Sequence, residues 1–319
     1  MSAASTYRHY PSFTRRFTRS ILKQVGLPKK HEKEVFLDLV EDPRTMTSIN
    51  GEALVLEYWH ERQGRIIVPE PSLSAWLQQV SLSKVQGDSF AWPYEFSTIS
   101  LPTAQLFEGH AIEGVMVSWM QASSLQQRYD DFLRQYGSSF QMEVPASQPE
   151  QWLTISIHNP LEPQSTLNPS LLRASFTPEQ LTDFINREAM KTVGLSGMSM
   201  NADEQRILNA MIRYVVSLGM YLSAYPEALN SGVPAYMKNK HPSGKGGTPF
   251  AQVEYDRRDR ELVAAMTSPH SVSPYWRQLR DERFYRGKWK SHRRGSRYVL
   301  VSGYEVGGDK TVAVERTEQ

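Results

Sequence analysis

Apolar positions recur along this chain at two different periods, and the switches between them divide it into elements. Phe13, Phe17, Ile21 and Val25 recur every four residues with Arg15, Arg16, Arg19 and Lys23 between them, which predicts an amphipathic helix closed by Gly26 and Pro28. Val35, Phe36, Leu39 and Val40 predict a short helix stopped at Asp42-Pro43. Residues 53–58 and 65–68 are rich in β-branched and aromatic types around Gln63-Gly64, the pattern of a hairpin, although Leu54, Leu56 and Glu57 also fit a helix. Pro71 and Ser72 open a helix that places Leu73, Trp76, Leu77 and Val80 on one face.

Period two then takes over. Strands are predicted over 96–101, 114–120 and 152–158, the last alternating Leu153, Ile155 and Ile157 inward against Thr154, Ser156 and His158 outward. A helix with Leu125, Tyr129, Phe132, Leu133 and Tyr136 on one side, closed by Gly137, separates the second strand from the third. Strands interrupted by helices imply an α+β fold: a mixed sheet flanked by helices, followed by a helical C-terminal half that ends in a basic strand or hairpin.

Prolines thin the pattern across 159–178 and mark a linker over 161–176. Thr177-Pro178-Glu179-Gln180 next supplies a cap, a first-turn proline and a capping-box glutamine ahead of Leu181, Phe184 and Ile185. Ile207, Leu208, Met211, Ile212, Val215, Leu218 and Leu222 form the longest helical stripe. Val216, Gly219 and Met220 extend it to nearly every side, so this helix is expected to be the buried axis of the C-terminal half. The domain expectation is a basic N-terminal helix (1–30), an α+β sheet domain (31–160), the linker, and a helical region with a basic C-terminal segment (177–319).

Charge changes the picture more than composition does. Across 319 residues the net charge is +2, yet residues 277–297 hold nine Lys/Arg against Asp281 and Glu282, and the first thirty residues hold seven Lys/Arg and no acid. Each segment carries +7, so the remainder carries −12 and the near-neutral total conceals a segregated charge. A concentrated positive field of this kind is an anion-binding surface, for which nucleic acid is the commonest partner. The basic N-terminus shares its composition with organellar transit peptides, but its helix closes with the punctuation of a folded protein. Cysteine is absent, which excludes disulfides, thiol catalysis and cysteine-ligated zinc and fits a reducing cytosol. No run of eighteen apolar residues and no secretion signal is present, so the expectation is an unexported, cytoplasmic protein with no membrane partner.

Candidate chemistry is sparse. Gly244-Lys245-Gly246-Gly247-Thr248 lacks the spacing of a phosphate-binding loop. His9, His31, His60, His110, His158, His241, His270 and His292 form no HxxxH or HExxH pair, so neither metal nor other cofactor is expected. Glu254, Asp256, Asp259 and Glu261 alternate with Arg257, Arg258 and Arg260, which reads as i,i+3 and i,i+4 pairing on a solvated helix face rather than a magnesium site. A metal-free ribonuclease would use His with Arg or Lys, and His270, His292, Arg277, Arg280 and Lys288 are of the required types, with His270 and Arg277 the catalytic candidates.

The basic segment also interleaves aromatics. Arg277, Arg280, Arg283, Arg286, Lys288, Lys290, Arg293, Arg294 and Arg297 sit among Tyr275, Trp276, Phe284, Tyr285, Trp289 and Tyr298. Cations on phosphates with Tyr285 or Trp289 under bases is one recipe for binding single-stranded RNA. Trp276, Phe284 and Trp289 serving as the core of a small hairpin whose arginines face water is the other reading, and the two stay open.

Pro269 and His270, a four-residue gap, and Tyr275-Trp276-Arg277, followed by Gly295-Ser296-Arg297 and an apolar terminal strand, resemble the C-terminal signature of the second type V-A anti-CRISPR protein family. Relatives read Pro-His-x-Arg-Arg-Gly-His-Trp there. Pro269, His270 and Trp276 match, whereas Val272, Ser273, Pro274 and Tyr275 stand where relatives carry Arg, Arg, Gly and His. The likeness runs from Glu204 to Gly308, with a long apolar helix and a proline-rich loop ahead of the signature.

The resemblance implies a regulator borne by a phage or plasmid that is more a binder than an enzyme. Such a regulator recognises the nascent N-terminal peptide of a bacterial effector and lowers that effector's mRNA, with the mRNA or the ribosome as a further partner. A toxin-like ribonuclease, or an RNA-binding protein built on the basic aromatic segment, is the alternative.

Overall fold

The computed structural model describes residues 7–12, 19, 22–31, 34–35, 56–57, 59–60, 63–83, 85–121, 124, 127, 130–131, 134, 151–162, 171–186, 200–232, 250–253 and 274–301. Its centre is a seven-stranded mixed sheet built from β2 (Arg65–Pro69), β3 (Phe96–Ile99), β5 (Val115–Gln121), β6 (Gln151–His158), β7 (Leu171–Phe176), β8 (Leu229–Ser231) and β9 (Phe250–Val253), in the order β7-β6-β5-β3-β2-β9-β8. β2 runs parallel to both its neighbours, with Ile67 level with Ile99 on one side and Ala251 on the other, while every other pairing is antiparallel. A short β1 (Tyr7–Arg8) pairs with β4 (Leu101–Pro102) beside this sheet. Helices α1 (Pro71–Leu77), α2 (Pro178–Asn186) and α3 (Ala202–Ala224) flank it, which makes the fold α+β as the periodicity requires.

One face of the sheet carries the core. Leu153, Ile155 and Ile157 of β6 join Val115, Val117 and Trp119 of β5 and Leu172, Ala174 and Phe176 of β7, and all three helices press their apolar stripes onto this layer. Thr177 and Gln180 form the expected reciprocal cap at the start of α2, each backbone N–H donating to the other's side-chain oxygen at 3.1 Å. α3 is the buried axis anticipated from its stripe. By length and composition it is apolar enough to cross a membrane, yet Ile207 through Leu222 are spent largely on this core. Asn201 caps it, accepting from Asp203 N–H (3.0 Å) and Glu204 N–H (2.9 Å), and Glu204 in turn accepts from Asn159 Nδ2 at 2.7 Å, tying the helix start to the end of β6. Tyr214 fastens α3 to α1 through the Ser74 hydroxyl (2.6 Å), which donates to Gln105 Oε1 at 2.7 Å; burial pushes the Tyr214 phenol upward.

The opposite face departs from expectation. Thr154, Ser156 and His158 were expected to face water, but all three are buried, as are Arg173 and Ser175 on β7. The N-terminal segment supplies part of the cover. His158 Nε2 donates to the Pro11 carbonyl at 3.0 Å, the Tyr10 ring lies 5.2 Å from that imidazole, and the Tyr10 hydroxyl donates to the buried Glu57 at 2.9 Å. Arg8 pins the same segment by donating to the carbonyls of Ile112 (2.7 Å), Thr103 (2.9 Å) and Gln105; burial lowers its guanidinium pKa against the counter-pull of Glu113. A strand with two buried faces needs polar partners on the second one, so its alternation survives while its meaning changes.

Three further expectations are revised. Residues 56–57, 59–60 and 63 are helical, so the hairpin about Gln63-Gly64 does not form: β2 finds its partners in β3 and β9. Residues 171–176, placed in the linker, form β7 and pair along all of their length with β6. β8 and β9, from the segment expected to be helical, complete the same sheet, which therefore draws strands from both sides of the expected boundary. Residues 124, 127, 130–131 and 134 are helical as anticipated, and Val25, assigned to a buried stripe, is 57% exposed. Phe13, Phe17 and Ile21, and the charged stretch 254–261, lie outside the described residues.

Candidate polyanion-binding surface

The C-terminal basic segment is a hairpin with a long insertion. β10 (Tyr275–Gln278) pairs antiparallel with β11 (Tyr298–Val301), and residues 279–297 leave and return between them through two short 3-10 turns, 282–285 and 287–289. The base of the hairpin is anchored by burial. Trp276 is 1% exposed and Tyr298 5%, both within the main core, and Ser81 N–H donates to the Pro274 carbonyl at 2.8 Å. Apolar anchoring at one end fixes where the insertion stands relative to the sheet.

Inside the insertion, Tyr285 is the organising residue. Its hydroxyl donates to the Leu279 carbonyl at 2.6 Å and accepts from the N–H groups of Gly295 (2.7 Å) and Arg297 (3.2 Å). Gln278 Nε2 donates to the Gly295 carbonyl at 2.7 Å, Arg294 Nε to the Arg280 carbonyl at 2.5 Å, and the Arg297 guanidinium to the Phe284 carbonyl. Gly287 (φ 58°) and Gly295 (φ 87°) take the left-handed backbone at its two reversals. Nineteen residues without α-helix or sheet are thus held by polar clasps about one buried phenol.

This framework pushes the cations outward. Arg277, Arg280, Arg283, Arg286, Lys288, Lys290, Arg293 and Arg294 are exposed, and Arg297 is half-buried. Arg283 lies 3.9 Å from Asp281; among the described residues, Arg280, Arg286, Lys288, Lys290, Arg293 and Arg294 have no carboxylate within ion-pair distance. An open groove of about 610 Å³ runs between the hairpin and α2, lined by Arg277, Arg280, Tyr275 and Gln278 on one wall and by Gln86, Thr182 and Asn186 on the other. A neighbouring recess of about 430 Å³ adds Arg294 and Gly295.

Apart from Tyr275 on the groove wall, the aromatic residues pack into the hairpin or the core. Of the two assigned to base contacts, Tyr285 is buried with its hydroxyl engaged three times, and Trp289 is half-buried with the Arg297 guanidinium 3.8 Å from its ring centre, Lys288 at 4.9 Å and His292 edge-on at 5.1 Å. Phe284 carries the Arg283 guanidinium at 4.7 Å. In this segment Trp276, Tyr285 and Tyr298 are buried, whereas eight of the nine cations are exposed. Of the family-motif residues, Trp276 is core and Arg277 lines the groove, whereas Pro269 and His270 lie outside the described residues. The two catalytic candidates, His270 and Arg277, are therefore not seen together.

No family model and no curated protein matches this chain. Among solved structures, the crystal structure of AcrVA2, an anti-CRISPR protein, is similar over 92% of this chain and 93% of that one, at 10% sequence identity and a TM-score of 0.41.

Sequence reasoning missed the far wall of the groove. Gln86, Thr182 and Asn186 are uncharged, and Gln86 lies far in sequence from the other two; the close docking of Gly87, whose N–H donates to Thr182 Oγ1 at 2.7 Å, brings it to them. A Cβ at Gly87 would sit 2.2 Å from the Pro178 carbonyl oxygen, so that glycine was the available sequence signal. Among the described residues there is no cluster of three or more His, Asp or Glu able to hold a metal ion.

Proposed function

We propose that this chain is a non-enzymatic regulator of the anti-CRISPR type that acts in the bacterial cytoplasm. It recognises the nascent N-terminal peptide of a bacterial effector and lowers that effector's mRNA, with its basic C-terminal insertion holding RNA of the message or the ribosome. The sequence resemblance over 204–308 supplies the regulatory role. The observation that carries the RNA contact is the set of six exposed cations, Arg280, Arg286, Lys288, Lys290, Arg293 and Arg294, on a hydrogen-bonded frame with no carboxylate of the described residues within ion-pair distance. Arginine predominates, and its planar fork suits phosphate oxygens better than the point charge of lysine.

The test is a panel of reporters carrying the N-terminal codons of candidate effectors, each co-expressed with the protein, with transcript measured alongside translation. A fall in transcript for one N-terminus, lost when Arg280, Lys290 and Arg293 are replaced by Glu, is the expected result. Unchanged transcript for every candidate overturns the reading, and cleavage of free RNA by the purified protein without any peptide replaces it with a ribonuclease.

A further inference from the structure

We infer that the insertion reads the sugar-phosphate backbone of a nucleic acid and not its bases, so that a double helix is bound at least as tightly as a single strand. The inference rests on the RNA-gripping role proposed above and adds how that grip works. Sequence-specific or single-strand binding depends on aromatic faces left open for bases to stack on. Here those faces are mostly occupied or hidden. Trp276 and Tyr298 lie in the core, Tyr285 is buried, Trp289 carries Arg297 at 3.8 Å, Phe284 carries Arg283 at 4.7 Å, and Tyr275, on the groove wall, is half-buried within the β10–β11 pair.

What the surface offers instead is charge. Arg280, Arg286, Lys288, Lys290, Arg293 and Arg294 project from one short insertion, exposed and without a carboxylate partner among the described residues. Point contacts of this kind fix a protein on phosphates and carry no base information. They favour the partner with the greatest linear charge density, which is a duplex.

A lipid headgroup is also an anion, but each Lys or Arg of a basic patch adds only a small attraction at an anionic bilayer, and stable attachment takes a second, apolar anchor. The large apolar side chains exposed among the described residues are Val25, Leu27 and Leu106, and none belongs to the insertion. Nucleic acid is therefore the partner the surface fits. RNA and DNA duplexes present the same phosphate chemistry and are separated by experiment.

Fluorescence anisotropy of the full chain against labelled RNA duplex, DNA duplex, oligo-U and oligo-A, repeated across a salt series, tests this, with anionic lipid vesicles as a further arm. If the six cations all engage, log K should fall against log salt with a slope of about −5 on duplex. Oligo-U and oligo-A should bind within about threefold of each other and no tighter than duplex, since no stacking term separates them. The surface double variant Lys290→Gln, Arg293→Gln should reduce the slope by about 2.

A single strand preferred about tenfold over duplex, or one homopolymer preferred about tenfold over the other, overturns the backbone reading and leaves the RNA grip standing. Vesicles bound as tightly as duplex overturn the assignment to nucleic acid. No binding to any nucleic acid overturns both this inference and the RNA contact beneath it.

Discussion

Replacing Tyr285 by Phe removes one oxygen and nothing else, and that oxygen closes the basic insertion. It donates to Leu279 and accepts from Gly295 and Arg297, so three hydrogen bonds between the two ends of the insertion pass through it. A hydrogen bond of this type contributes about 1 kcal/mol net, so the loss is ~2–3 kcal/mol after the partly buried Gly295 and Arg297 N–H groups regain water. The remaining clasps, Gln278 to Gly295 and Arg294 to Arg280, stay intact, and Trp276 holds the base of the hairpin in the core.

The opening should therefore be local. Amide exchange across 279–297 should accelerate by about 30- to 150-fold, the population change that ~2–3 kcal/mol implies, while amides in β5 and β6 keep their protection. Hydrogen–deuterium exchange read by mass spectrometry resolves the two regions in one experiment. An acceleration under about threefold at Leu279 and Arg297 would refute the claim that this phenol organises the insertion. Equal acceleration in β5 and β6 would refute its being a local clasp.

Three other outcomes follow from the sheet and its cover. Burial pushes His60 down to about 4, against a backbone hydrogen bond at Arg65 that pulls the other way. The unfolded chain, with its imidazole near 6.5, takes up a proton first as the pH falls; stability should drop between about pH 6.5 and pH 4, by on the order of 3 kcal/mol, and then level off. His60→Gln should flatten that part of the profile in urea titrations, and identical profiles would rule His60 out as its source. Arg8→Lys keeps the charge but cannot reach the Ile112, Thr103 and Gln105 carbonyls together, and should cost ~2–3 kcal/mol in the same assay. Gly114→Ala puts a methyl 2.2 Å from the Tyr10 backbone nitrogen and should cost ~1–3 kcal/mol, with protease cutting appearing near residue 10 before the core is attacked.

Elements whose cause is local were legible in the chain itself. The capped start at Thr177, the stripe from Ile207 to Leu222 and the alternation of Leu153, Ile155 and Ile157 each follow from side chains within a few residues of one another, and each stands where its period put it. The basic insertion was legible for the same reason: nine cations close in sequence remain close in space whatever the fold.

Pairing and burial were settled only when distant surfaces met. β2 lies between β3 and β9, the latter more than 180 residues away, and no period announces a partner at that distance. Ser156 and His158 look like solvent residues until another segment comes down over them, and β7 looks like a linker until β6 offers a free edge. The same holds at the candidate site. Trp289 is identical in the sequence whether it waits for a base or carries Arg297, and the direction in which a ring faces is a property of the packed hairpin, where burial and hydrogen bonds choose among arrangements that local sequence leaves equal.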